Sequence, residues 1–507
     1  MIPQPTLRRS PAGDDGVAMV LSLLFMLLLS ALGTAMLVLS RSETLSSVNY
    51  RMMSQARYGA ESGVHKAAHY LLNSYTLPAT SGTDLLSSYN LTVSPVTYNG
   101  QPVVLSSLAG VTSNYPVEAT RTAFAANAVG SMPVGNATVV YSSAATLLSM
   151  RQVIPYGSIA PLTVQTWRLT ARGTIQGARQ AEVEVSAVIE RQVVPTFLYG
   201  LFATLPGCNA LEFGGNVTTD SYDSNNISWV SGLPAVAPSG GHVATNGNLT
   251  VGGSTIIKGS LSTPRTGVGD CTAGAVTAYD YQGNANIQGG ILKLPQKINY
   301  IDPAGLTPLP GTTEITINGT STCAAVPITS GSCSITFPTA GVGAVTLDPM
   351  GTEMALGNVH VVSGATLVLK PGVYNINSVQ LTGNSKLRIG TTAAPGPVIL
   401  NIAGVNQTEP FDGESGSVIS PTFIASNFRI LYAGTGSLKM TGGSTTSATV
   451  YAPKAYVSVA GGADYFGAIV GRNIFFGGGA KLHRDKALEQ FFTVGPQMMS
   501  VFTWKEY

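Results

Sequence analysis

Charge is scarce in this 507-residue chain: Asp, Glu, Lys and Arg make up only 10% of it, and 27 basic residues nearly cancel 25 acidic ones. Without a basic excess there is no electrostatic footprint for nucleic acid. Cysteine is rarer still, with four residues and no Cys-x-x-Cys pair, so the spacings of structural zinc sites are missing. No phosphate-binding loop occurs either, and no cofactor is expected. Proline is absent between Pro11 and Pro78, and no charged residue lies between Gly16 and Ser40. What the chain has instead is 58 Gly and 44% hydrophobic residues, with Ser, Thr, Asn and Val abundant. Gly and Asn accept positive φ and β-branched residues suit a pleated surface, so strands joined by tight turns are expected. The length exceeds what one hydrophobic core supports, which predicts at least two domains.

The uncharged run from Gly16 to Ser40 exceeds the roughly 20 residues that span a bilayer as helix. Leu, Met, Val and Phe occupy all of its faces, which suits lipid better than a buried groove. Arg8 and Arg9 precede the run while Arg41, Arg51 and Arg57 follow it, so the positive-inside count is undecided. The large polar body and its cysteines favour an N-in, C-out arrangement. Beyond Ser40 a stripe continues through Leu45, Val48, Met52, Ala56, Ala60, Gly63, Ala67 and Tyr70 in steps of three or four. One helix over 17–72 would be roughly 84 Å long at 1.5 Å per residue. Its small residues invite a close neighbour.

A short leader ending at Gly16, an apolar helix and an amphipathic continuation resemble a type IV prepilin. Asn49-Tyr-Arg51, Gln55-Ala56 and Ala60-Glu61-Ser62-Gly63 are similar to the segment behind the apolar helix in PilX-like minor pilins. The resemblance implies cleavage between Gly16 and Val17, and packing of the apolar half-helix among those of other pilin subunits. It is to the PilX-like group and not to major shaft pilins, which carry Phe and Glu where this chain has Val17 and Leu21.

Residues 77–195 read as short strands, the clearest being 165–171 and 180–189, and with the helix they suggest a small α+β pilin-like module. From 196 to 490 Gly-centred turns recur: Gly364 and Gly383 are 19 apart, as are Gly442 and Gly461, while Gly214 and Gly252 are 38 apart, read as twice that interval. A repeat of that length predicts a parallel β-helix, or β-solenoid, in which stacking closes the core. The fold class expected is mainly β with a long N-terminal α-helix. The divisions are a leader at 1–16, a membrane or filament-core helix at 17–40, its extension at 41–76, the module at 77–195, the solenoid at 196–490 and a tail at 491–507. Segments 215–224, 245–248 and 465–470 resemble rungs of the β-helical domains behind PilX-type N-termini. The closing His483-Arg484-Asp485 resembles the last turn of that domain, usually His-Tyr-Asp.

Parallel β-helices also host polysaccharide lyases and hydrolases, which use clustered carboxylates or a Lys/Arg base, glycosidases needing two carboxylates. Asp220 with Asp223, and His483 with Asp485, are the local candidates, each also readable as a turn cap or, for His483 and Asp485, a polar cap over the last rung. The segment 220–225 lacks the spacing of a calcium loop. Four cysteines allow three pairings; Cys323–Cys333 across a nine-residue hairpin with Cys208–Cys271 is the expectation. The function expected is a non-catalytic PilX-like pilus-assembly or surface-display subunit. Its partners would be other pilins, the assembly machinery, the inner membrane and surface glycans or other surfaces. Its body would lie in the periplasm or outside the cell. A cell-surface carbohydrate-active enzyme and an unprocessed inner-membrane-anchored binding protein are the alternatives.

Overall fold

A computed structural model describes residues 15–79, 82–134, 137–158, 161–175, 180–190, 193–281, 285–336, 343–390, 396–413, 417–440, 445–462, 464–494 and 505–506. Most of the expected leader, and Gly442 of the spacing noted above, lie outside these residues. The chain is mainly β with one long N-terminal helix. It divides into two compact units. The first comprises Met1–Met150, Gln165–Glu190 and Met499–Tyr507; the second comprises Arg151–Val164 and Arg191–Met498.

In the first unit helix α1 runs unbroken over Asp15–Asn73, as the lack of proline allows. Its C-terminal half lies on a sheet whose strands follow the order Val104–Ser106, Ala137–Val153, Leu162–Ile175, Ala181–Glu190 and Lys505–Glu506. In Ala181–Glu190 every second residue is buried, Val183, Val185, Ala187 and Ile189 facing in, and the helix supplies Ala56, Ala60, Val64 and Ala67 to the same core. A second helix, Glu118–Asn127, stands where only strands were read. Its sequence contributes one buried side chain, Phe124, so hydrophobic periodicity offered little to detect.

The second unit is a solenoid-like stack of short parallel strands in three columns. In one column Leu201–Ala203, Val243–Thr245, Leu261–Thr263 and Ile291–Lys293 pair in turn. In the next, Leu211–Gly214 pairs with Leu249–Val251, which pairs with Tyr279–Tyr281. In the third, Val217–Tyr222, Thr255–Ile257 and Ala285–Ile287 follow one another. Side chains pointing inward form one apolar core, including Leu211, Leu249, Ile257, Leu356, Leu400 and Ile430. Burying each such side chain is worth roughly 1.5–3 kcal/mol, and no single coil could collect that alone.

Coil length is uneven. Leu211 pairs with Leu249, so the 38-residue interval between Gly214 and Gly252 is one coil and not two of 19. The extra length is an excursion carrying the hairpin Trp229–Val230 and Leu233–Pro234. Where coils turn tightly, glycines stack: a Cβ on Gly241 would meet the Asp220 nitrogen at 2.5 Å, one on Gly259 the Gly241 carbonyl carbon at 2.5 Å, and one on Gly289 that of Gly259 at 2.8 Å. Any side chain there would force the coils apart.

The order of stacking departs from the order of the chain. The first coil, 201–222, has the second coil on one side and the last strands on the other. Asp464–Gly477 pairs with Leu201–Ala203 and Leu211–Gly214, and Lys481–Asp485 pairs with Val217–Tyr222. After Lys293 the chain begins again at Glu314–Ile317 and builds back through Glu353–Val361, Gly372–Leu381, Val398–Ile402, Phe428–Tyr432 and Thr446–Val459. The unit is entered and left side by side, with Val193–Pro195 antiparallel to Phe492–Val494.

Candidate functional site

Helix α1 has two chemically different halves. From Val17 to Leu39 its large apolar side chains are bare, with Phe25 63% and Leu28 55% exposed, and Leu21 among them. By length and composition this part can cross a membrane: an 18-residue window has a mean hydropathy of 2.4 and none of it is buried. Asn49 and Arg51 are exposed, and Arg57 pairs with Glu61 at 3.0 Å. Ala60 and Gly63 face the sheet instead. A Cβ on Gly63 would meet the Ser143 hydroxyl oxygen at 2.8 Å and the Ala171 Cβ at 2.9 Å. The opposing Gly173 is closer still, where a Cβ would fall 2.0 Å from the Ala56 carbonyl oxygen. Helix and strand touch backbone to backbone.

The same unit holds a buried tyrosine network that the sequence did not advertise. Tyr89 and Tyr115 donate to the two oxygens of Asp84 at 2.7 and 2.5 Å, Tyr75 and Tyr115 share a 2.8 Å hydrogen bond, and Gln165 Nε2 donates to the Tyr75 oxygen at 3.2 Å. Burial pushes all three phenols well above their ordinary range, so they stay protonated and donate.

In the solenoid-like unit the residues singled out from sequence meet in a different combination. Asp220 lies opposite His483 in register, and His483 Nδ1 bonds Asp220 Oδ1. Lys258 Nζ approaches the other Asp220 oxygen at 3.4 Å, and Asp464 lies 3.9 Å from His483 Nε2. The His483 ring stacks on Phe466 with centroids 4.3 Å apart. Burial alone would lower the imidazole, but the carboxylates of Asp220 and Asp464 outweigh it and its pKa stands above the ordinary value. The approach of His483, with Lys481 nearby, holds the Asp464 carboxyl below its ordinary range despite partial burial.

Asp485 does not join His483. It accepts from the backbone nitrogens of Ser224 and Ala487, at 3.0 and 3.1 Å, and burial pushes its pKa up. Asp223 accepts from the Asn225 nitrogen at 3.0 Å, a local turn. Arg484 is buried against Glu489 and the Gly240 and Leu198 carbonyls. These residues lie between neighbouring coils, because the strand Lys481–Asp485 has Asp464–Gly477 on one side and Val217–Tyr222 on the other. The four cysteines form Cys208–Cys271 and Cys323–Cys333. Among the described residues no group of three His, Cys, Asp or Glu side chains is placed to hold a metal ion.

Of the clefts that open on this unit, two are lined by neighbouring strand positions. The larger, about 620 Å³, is bounded by residues 154–158 and 303–309 and by strand faces bearing Asn375, Asn401 and Arg429. Asn401 donates to Asn375 at 2.8 Å, and Asn375 to Glu353 at 2.9 Å. The Arg429 guanidinium sits 5.1 Å over the Phe491 ring and 5.9 Å over that of Tyr156, so its charge is already engaged.

The smaller cleft, about 200 Å³, is almost wholly polar. Parallel register sets its side chains in two rows. Glu314, Asn358 and Ser378 are consecutive in one; His360, Gln380, Asp412 and Lys439 are consecutive in the other. Asn358 is the hub. Its oxygen accepts from Asn377 at 2.7 Å and Ser378 at 2.9 Å, and its nitrogen donates to the Thr312 carbonyl at 3.0 Å and Glu314 Oε1 at 2.7 Å. Glu409, on the rim, pairs with Lys439 at 2.8 Å.

Comparison with known proteins gives three findings. Residues 354–491 match a family described as a domain of unknown function, DUF7305. No curated protein matches the chain. Among solved structures the chain is similar to the crystal structure of the competence-associated pilin ComZ from Thermus thermophilus. That likeness has 13% identity and a TM-score of 0.24, over 90% of this chain and 97% of that one. So low a TM-score carries no argument about fold or function. The matched family covers about the second half of the solenoid-like unit, including most of the smaller cleft.

Proposed function

We propose that this chain is a non-catalytic, PilX-like minor pilin or pilus-assembly subunit, held by α1 in the inner membrane and then among pilin helices. The observation that carries the reading is the division of α1: a bare apolar half from Val17 to Leu39 and a second half buried on a sheet through Ala56, Ala60, Val64 and Ala67. A plain anchor needs only the first half. The Ala60-Glu61-Ser62-Gly63 signature within that second half adds the resemblance to PilX-like proteins, with Gly16–Val17 as the cleavage point. The stacked unit, read as a parallel β-helix, projects from the membrane into the periplasm or beyond the cell as a spacer or adhesin.

Mass spectrometry of the mature N-terminus tests this. The expected chain begins at Val17 when a prepilin peptidase is present. A chain that keeps its leader in the same cells refutes the pilus reading and leaves an unprocessed, membrane-anchored binding protein.

A further inference from the structure

We propose that the smaller polar cleft on the stacked unit binds a neutral saccharide. The inference rests on the surface-display reading above and names what the displayed domain would hold. Its chemistry is narrow. One lining residue, Val359, is apolar, so an apolar ligand would find no surface to cover. Glu314, Glu409 and Asp412 bring three negative charges, and the one lysine nearby is bound to Glu409. A phosphate, sulfate or uronate would therefore be repelled. No metal-holding trio exists among the described residues.

The mixed amide, hydroxyl and carboxylate lining fits an uncharged ligand rich in groups that both donate and accept. Sugar hydroxyls are such groups, and amide and carboxylate side chains answer them in both directions. Gln380 lines the cleft and is exposed, so its amide is open to a ligand. Glu314 has one oxygen fixed by Asn358, and the other is available to accept. His360 is held by Thr382 at 3.0 Å. These groups ride on strands about 4.8 Å apart, and the Asn358 hub fixes Glu314 and Ser378 before any ligand arrives, which lowers the ordering cost at those two positions. A volume near 200 Å³ is below the roughly 300–1,000 Å³ of sites for drug-sized molecules, which suits one sugar residue of a longer chain lying across the coils.

The test is titration of the detergent-solubilised full chain with cellotriose, maltotriose, mannotriose, galactobiose and N-acetylchitotriose, read by calorimetry and saturation-transfer NMR. At least one should bind with a Kd of about 1 mM or tighter, with little change between low and high salt. Glu314→Ala and Gln380→Ala should each weaken binding at least fivefold, and Gln380→Ala, at an exposed position outside the Asn358 hub, should leave the melting temperature alone. The proposal is overturned if no member of the panel binds, if binding ignores both substitutions, or if it falls steeply with salt as for a cationic ligand. Release of a shortened sugar would also overturn it, since the site is proposed to bind and not to cleave. An intact leader in the mass-spectrometric test would leave this result untouched, so the two readings fail separately.

Discussion

Substituting Gly173 by alanine is the sharpest probe of how α1 is held. The added Cβ would lie 2.0 Å from the Ala56 carbonyl oxygen and 2.6 Å from the Ala60 nitrogen. Real contacts of that kind stay beyond 3.0 Å, so helix and strand must separate by roughly an ångström. Neither atom belongs to a side chain that could rotate away. Overpacking in a close-packed interior costs about 1–3 kcal/mol, and a backbone-to-backbone clash belongs at the upper end, about 3 kcal/mol. The separation also loosens Ala56, Ala60 and Val64, all fully buried. For a unit of this size each kcal/mol moves the midpoint by about 2–4 °C, so the transition of the first unit should fall by about 6–12 °C in differential scanning calorimetry. Gly33→Ala is the matched control: nothing lies within 4 Å of its Cβ position, and alanine only favours the helix. Should Gly173→Ala melt within about 1 °C of the unaltered chain, the direct contact of helix and strand backbones is wrong.

The stacked unit should show its own dependence on pH. His483 titrates above its ordinary 6.5, so its contribution is complete below 6.5 and disappears as pH rises through the raised folded value. Asp464 titrates below its ordinary 3.8, so its contribution is present above 3.8 and lost as pH falls through the lowered value. Urea midpoints should thus carry an alkaline decline from His483 and an acid decline from Asp464. His483→Gln should abolish the alkaline decline and cost about 3 kcal/mol by leaving Asp220 buried without its main partner; an unchanged alkaline slope would show that another group titrates. Reducing the disulfides should cost up to about 4 kcal/mol for Cys208–Cys271 and about 3 for Cys323–Cys333 on loop entropy, given separations of 63 and 10 residues. Single Cys→Ser pairs and denaturant midpoints would rank them, and a larger loss for the short loop would count against a chain-entropy origin.

Much of the architecture could be read from residues that are close in sequence. The helix followed from a proline-free stretch with small residues every third or fourth place, and Ala56, Ala60 and Ala67 do lie on its buried side. The β texture of the body followed from its glycines and β-branched residues. Spacing failed where coils carry excursions: the stacked glycines Gly241, Gly259 and Gly289 are unevenly placed, so no fixed period finds them. The site residues suffered for the same reason. Asp220 and His483 are 263 positions apart, and only knowledge that the last coil docks on the first would join them. The rows of the polar cleft are ordinary outward-facing positions on five strands, and nothing in any one strand marks Gln380 or Glu314 as sharing a site. Helix Glu118–Asn127 went unseen because it buries a single side chain.

The interleaved order of the coils has a consequence for how the protein is made. A repeat array normally grows by adding each new unit to the last, but here one exposed edge of the first coil must wait for a partner that has not yet been synthesised. The wait spans 263 residues from Asp220 to His483, about 13–50 s at roughly 5–20 residues per second. An unpaired strand edge is a template for the wrong chain, and closure of so distant a contact is slow. Until the last coil arrives the nascent domain is a half-finished surface, and the period of greatest vulnerability to misassembly falls during translation, before the domain is complete.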